Sequence, residues 1–154
     1  MSFDLFKKKK EKIHRPVKGT VIHLKEVPDE VFSSGMMGAG FAVKPEDGEI
    51  YAPVSGKVLS IFPTKHALLI QSKNGKEVLI HIGIDTVELK GNGFKIHVVA
   101  GQDIKANQLI ASVDLAVLEN AHKNTDVMVV FPESKLELSD QFDYSNTNDV
   151  ICEI

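Results

Sequence analysis

Turn-forming residues interrupt this chain at short intervals and leave room for strands rather than long helices. Lys18-Gly19, Pro28-Asp29, Ser34-Gly35, Ser55-Gly56 and Asn74-Gly75 are such points, and Pro45-Glu46-Asp47-Gly48 and Gly91-Asn92-Gly93 are longer ones. Each residue type favours a turn for its own reason: Gly reaches positive φ, Pro presets φ, and Asn and Asp bond their own backbone. Between the turns lie VLSIF (58–62), ALLIQ (67–71), EVLIHI (77–82), KIHVV (95–99) and VMVVF (127–131), all strand-length and rich in β-branched residues. The best helical window, LAVLENAHK (115–123), allows one or two turns. Short strands joined by Gly/Pro turns predict an all-β chain. The expected architecture is a compact antiparallel sandwich with one or two short helical turns.

The 154 residues favour one domain, and 43% hydrophobic with 25% charged residues excludes a disordered or collagen-like chain. No stretch approaches the roughly 18 uninterrupted apolar residues of a membrane-crossing helix. The opening MSFDLFKKKK sets its apolar residues before its lysines, the reverse of a secretory signal. One cysteine, Cys152, fits a reducing cytosol. A net charge of −3 gives no global basic field, so no nucleic-acid partner is expected. The charge is uneven. Lys7, Lys8, Lys9, Lys10, Lys12, Arg15 and Lys18 face one acid, Glu11, at the head. Glu133, Glu137, Asp140, Asp143, Asp149 and Glu153 face one base, Lys135, at the tail. The expected division is a mobile basic and amphipathic segment over 1–15, a working domain over 16–132, and an acidic edge strand or mobile tail over 133–154.

Asn74-Gly75 is the strongest short hairpin signal, because a type I′ turn needs positive φ at both central positions. With those two as the turn, His81 lies opposite Leu68 and His66 opposite Gly83. Side chains alternate in period two, so His66, Leu68, His81 and Gly83 share one face. Thr64 and Asp85 join them if the ladder reaches that far. Ala67, Leu69, Val78, Ile80 and Ile82 form the opposite, core face. A one-residue slip would part the histidines.

Two histidines on one face with a Thr and an Asp admit three chemistries. Zinc binding would need a third ligand for a catalytic site. Acid–base work by His81 or His66 with Asp85 is a second. The third is nucleophilic phosphoryl transfer. A neutral imidazole nitrogen attacks phosphorus, a fixed acceptor on the other nitrogen sets the tautomer, and a neighbouring histidine donates to phosphoryl oxygens. No GxxxxGK[ST] loop accompanies the pair, and Gly35-Met36-Met37-Gly38-Ala39-Gly40 does not supply one.

The segment GKEVLIHIGIDTV (75–87) resembles the active-site segment of the glucose-type enzyme IIA proteins of the bacterial phosphoenolpyruvate-dependent sugar phosphotransferase system. MMGAGFAVKP (36–45), APVSGKV (52–58), FPTKHA (62–67) and ELKGNGF (88–94) are similar to their counterparts, and the resemblance runs from about residue 17 to about residue 132. It implies an antiparallel β-sandwich with jelly-roll-like connections. It implies that His81 is phosphorylated at Nε2, that His66 stabilises the transferring group, that Thr64 orients His66, and that the Gly83 carbonyl fixes Nδ1–H of His81. The implied donor is the histidine phosphocarrier protein and the implied acceptor a cysteine of an enzyme IIB domain. Phe32, Met36, Met37, Phe62 and Leu79 match the family's docking surface, and Asp29 and Asp85 match acids that meet an arginine of the phosphocarrier. No cofactor is implied, and zinc at His66 and His81 would be adventitious. Regulatory protein targets are a further implied partner class. The implied location is the cytoplasm, with weak contact to anionic membranes through Phe3, Leu5, Phe6 and the adjoining lysines.

Two rival readings stand beside this one. A zinc hydrolase needs a third ligand converging on His66 and His81. A biotinyl- or lipoyl-like module, suggested by YAPVSGKVLSI (51–61) and VAGQDIKANQLIASV (99–113), needs a hairpin-tip lysine between methionines, and no Met-Lys-Met occurs.

Overall fold

In the computed structural model, which describes residues 10–132 and 150–154, strands dominate and every paired strand is antiparallel. The strands are β1 (Lys12–His14), β2 (Gly19–His23), β3 (Ala39–Pro45), β4 (Glu49–Tyr51), β5 (Gly56–Ile61), β6 (Ala67–Ser72), β7 (Glu77–Ile82), β8 (Phe94–Ile96), β9 (Asp103–Ile104), β10 (Leu109–Val113), β11 (Val127–Phe131) and β12 (Val150–Glu153). A seven-stranded sheet has the order β2-β3-β11-β7-β6-β5-β9, a three-stranded sheet the order β4-β10-β8, and β1 pairs with β12. Two short helices, α1 (Glu30–Ser33) and α2 (Leu115–Asn120), complete the all-β architecture. Asp29 and Asp114 start them by accepting the N–H groups of Val31 and Ala116. KIHVV is a strand only at its start, because β8 ends at Ile96.

Period-two alternation sorts the large sheet into two cores. Val78, Ile80 and Ile82 of β7 enter the main core with Phe41, Ile50, Leu68, Ile70 and Ile110. Leu79 points the other way, into a second cluster with Leu24, Val27, Phe32, Ala42, Ala67, Met128 and Val130. The segment containing α1 covers this second face. A strand buried on both faces shows no alternation, and every residue of β11 is buried.

The ends of the described chain meet. Ile13, Ile151 and Cys152 all belong to the main core. The Glu11 carboxylate accepts the Ser72 hydroxyl at 2.6 Å and the Asn74 N–H at 3.4 Å, tying β1 to the tip of the β6–β7 hairpin. Phe3, Leu5 and Phe6 and the acidic stretch 133–149 lie outside the described residues.

The register of that hairpin corrects the expectation by one residue. Ala67 pairs with His81, Leu68 with Ile80, Leu69 with Leu79 and Ile70 with Val78. The loop is Lys73-Asn74-Gly75, not Asn74-Gly75 alone. Ser72 N–H donates to the Lys76 carbonyl at 2.7 Å and Gly75 N–H to the Ser72 carbonyl at 2.9 Å. Only Gly75 has positive φ (86°), whereas a type I′ turn would demand it of Asn74 too. The Ser72 hydroxyl accepts the Lys76 N–H at 3.1 Å and so favours the longer loop. Leu68 therefore lies in the main core, while Ala67, Leu69 and Leu79 share the face of His81.

Candidate functional site

Ladder alternation alone would turn His66 away from His81, but His66 stands just outside the strand. Phe62-Pro63-Thr64-Lys65-His66 links β5 to β6. Phe62 N–H donates to the Ala67 carbonyl at 3.0 Å and Lys65 N–H to the Phe62 carbonyl at 2.7 Å. Lys65 adopts a left-handed conformation, φ 63°, which redirects the chain before β6 begins. The His66 carbonyl still accepts the Ile82 N–H at 2.8 Å, yet its ring meets the ring of His81 edge to face, with centroids 4.9 Å apart and planes at 81°. The ladder sets Ala67 opposite His81, and its methyl leaves that face open. Thr64 and Asp85 are not a ladder pair, because β6 starts at Ala67 and β7 ends at Ile82. Both still border the histidines, through loops.

Each ring is held at Nδ1. That of His81 lies 2.9 Å from the Gly83 carbonyl. A carbonyl only accepts, so Nδ1 carries the proton and Nε2 of the neutral ring keeps its lone pair. That of His66 lies 2.6 Å from the Thr64 hydroxyl. When Thr64 donates, Nε2 of His66 bears the proton. Burial lowers the pKa of His66. Burial, followed by repulsion from His66, lowers that of His81 to about 4, against the opposing pull of the Gly83 carbonyl and Asp29. Both rings are thus neutral at neutral pH: one exposes a lone pair, and the other can present an N–H.

The ring stack continues outward. Phe32 packs on His81 with centroids 4.9 Å apart, and Phe62 meets His66 edge-on at 5.5 Å. A shallow hollow of about 260 Å³ opens here, lined by Asp29, Phe32, Met37, Phe62, Leu79, His81 and Asp85. Met36 does not line it, being 77% exposed on the adjoining loop. Phe32 and Leu79 are buried, so they shape the floor, while Phe62 is exposed at the rim.

Sequence reasoning missed Val31, Thr86 and Val87, which also line the hollow. Val31 and Val87 are 44% and 49% exposed, a pair of apolar rims beside the two acids. Val87 follows the HIGIDT segment directly, and Val31 lies two residues after the helix-starting Asp29; those positions were the available signals. Thr86 is fully buried and donates its hydroxyl to the Ile82 carbonyl at 2.6 Å. It packs where a Gly83 side chain would stand: a Cβ there would lie 2.5 Å from Thr86 Cγ2 and 2.9 Å from the Asn124 carbonyl. Among the described residues no third His, Cys, Asp or Glu joins His66 and His81 in a group able to hold a metal.

Residues 11–136 match the protein family described as phosphoenolpyruvate-dependent sugar phosphotransferase system, EIIA 1. Among solved structures the chain is similar to the glucose permease IIA from Mycoplasma capricolum. The two share 38% sequence identity over 95% of this chain and 96% of that chain, with a TM-score of 0.83.

Proposed function

We infer that, because this chain belongs to the phosphoenolpyruvate-dependent sugar phosphotransferase system EIIA 1 family and is a phosphoryl carrier in sugar uptake, His81 is the residue on which the phosphoryl group rides. The observation that carries this assignment is the His81 Nδ1–Gly83 carbonyl bond beside the ring of His66. Nε2 of His81 attacks the phosphorus of a phosphohistidine on the histidine phosphocarrier protein. The donor P–N bond breaks as the new P–N bond forms, and Nδ1 keeps its proton. His66, its Nδ1 accepting from Thr64, donates Nε2–H to a phosphoryl oxygen, where negative charge concentrates. The group then leaves to a cysteine thiolate of an enzyme IIB domain, restoring the neutral ring.

The hollow fits this traffic. His81 lines it among mostly apolar side chains, which a docked partner would seal from water. Asp29 and Asp85 at its edge suit a cationic partner residue beside its own phosphohistidine. Exchange between partner proteins requires a site on the surface rather than a sugar pocket. The working domain proposed over residues 16–132 also takes in β1 and β12, whose Ile13, Ile151 and Cys152 enter its main core. The proposed location is the cytoplasm, with weak lipid contact through the head. Failure to bind anionic vesicles at low salt would remove the lipid contact.

The test is phosphotransfer with enzyme I, the phosphocarrier and labelled phosphoenolpyruvate. The expected label is acid-labile, base-stable and confined to His81. Label on His66 with His81 dispensable would reverse the two roles.

A further inference from the structure

The bond between His81 and Gly83 depends on what aims the Gly83 carbonyl. That carbonyl and the Ile84 N–H belong to one peptide unit. The unit is planar and trans, so the two groups point in opposite directions. The Ile84 N–H donates to the Asn124 carbonyl at 3.1 Å, and the Gly83 carbonyl, on the other side of the same plane, accepts from His81 at 2.9 Å. Pinning one end aims the other. The preceding peptide is pinned as well, since the Gly83 N–H donates to the Asp126 carbonyl at 2.8 Å. Gly83 has φ 75° and no side chain to resist rotation of either plane, so the anchors must come from outside β7.

Both anchoring carbonyls sit in the segment 124–126, and one side chain fixes it. Asn124 Oδ1 accepts the N–H of Asp126 at 2.7 Å, closing a turn that sets the spacing of the Asn124 and Asp126 carbonyls. Among the described residues Asn124 is hydrogen-bonded to neither histidine. We propose that Asn124 is a positioning residue for the phosphoryl-transfer reaction: its side chain holds the 124–126 turn, the turn aims the Gly83–Ile84 peptide, and that peptide keeps His81 in the Nδ1–H tautomer with Nε2 free to attack. This rests on the assignment of His81 as nucleophile. It adds an element that the histidine pair lacks on its own, because a neutral imidazole in water divides its proton between two nitrogens.

The experiment is nitrogen-15 NMR of the histidine rings in the full, unphosphorylated chain. It is paired with phosphoryl acceptance from the phosphocarrier. The wild type is expected to show His81 with its proton on Nδ1. In Asn124→Ala the Nε2–H form should appear at His81, the Ile84 amide should lose hydrogen-exchange protection, and acceptance should slow by about tenfold. Asn124→Asp, made together with Asp126→Asn so that no two carboxylates stand side by side, keeps the Oδ1 acceptor and should restore the tautomer and most of the rate. A folded Asn124→Ala protein with His81 still wholly Nδ1–H overturns the proposal, as does failure of that double variant to restore the tautomer. If Asn124→Ala does not fold, Asn124→Ser replaces it, with an intermediate tautomer ratio expected and a wild-type ratio overturning. The tautomer is read without phosphate present. Absence of label from wild-type His81 would therefore strike the functional assignment and leave the positioning result to be judged separately.

Discussion

The rings of His66 and His81 stand edge to face, 4.9 Å between centroids, across a ladder that pairs His81 with Ala67. Their meeting depends on the loop that precedes β6, with its left-handed Lys65, more than on strand register. The two rings then differ in what holds Nδ1: a carbonyl that can only accept, and a hydroxyl that can do either.

That difference separates the variants. His81→Ala should accept no phosphoryl group. His66→Gln should still be labelled at His81 but pass the group to an enzyme IIB cysteine on the order of 10²-fold more slowly, the loss typical of one aimed donor. Thr64→Val should weaken onward transfer in the same direction and Thr64→Ser should retain it. Acceptance from the labelled phosphocarrier measures the first, and single-turnover transfer to isolated enzyme IIB the other three.

Burial sets the pH behaviour. His81 titrates at about 4 instead of 6.5, so its ring resonances should move near the lower value, and acceptance should stay flat from about pH 6 to about pH 8. The unfolded chain takes up this proton first as pH falls. Folding stability should therefore drop between pH 6.5 and about 4, and His81→Gln should lessen that slope in denaturant titrations.

Asp126 gives the opposite sign. The residue is 3% exposed, and Oδ2 has no hydrogen-bond partner among the described residues. Burial raises its pKa, with Lys44 and Asn124 opposing. The unfolded chain releases this proton first as pH rises, so the group costs stability above the ordinary carboxylate range. Asp126→Asn should stabilise the fold at pH 7 by about 1 kcal/mol, the gain fading as pH falls into the acid range. Its backbone bonds to Gly83 and Asn124 stay in place.

Gly83→Ala should be severe, because both conformation and space oppose a side chain. A positive φ of 75° coincides with contacts of 2.5 Å to Thr86 and 2.9 Å to the Asn124 carbonyl. The expected loss is about 3 kcal/mol in urea unfolding, with phosphoryl acceptance impaired even in the folded fraction.

Val31 and Val87 offer a test of docking without disturbing the fold. Both are exposed beside the hollow. Val87→Asp should change stability by less than about 0.5 kcal/mol yet raise the KM for the phosphocarrier about tenfold. Unchanged KM would move the docking face elsewhere.

The strands and the all-β class were legible because turn residues and apolar runs act locally. Asn74-Gly75 marked the right hairpin and misled on its register. The choice between a two- and a three-residue loop rested on the Ser72 hydroxyl and on Glu11, which lies 61 residues away from Ser72. The histidine pair emerged from that mistaken register because Lys65 turns the chain where period-two alternation ceases to apply. The segment resemblance pointed to the same two residues by an independent route. Asn124 was not legible, because its role passes through backbone carbonyls brought beside Gly83 by the pairing of β7 with β11; Thr86 was not, because its bond to the Ile82 carbonyl forms only once the chain turns back at Gly83.

Glu11 binds the tip of the β6–β7 hairpin, whereas both imidazoles occupy the far end of the same two strands, a distance of about 20 Å for elements of this length. The described chain thus begins at the pole remote from phosphate exchange. A reporter or a tethered neighbour attached there leaves the approach of both exchange proteins unobstructed.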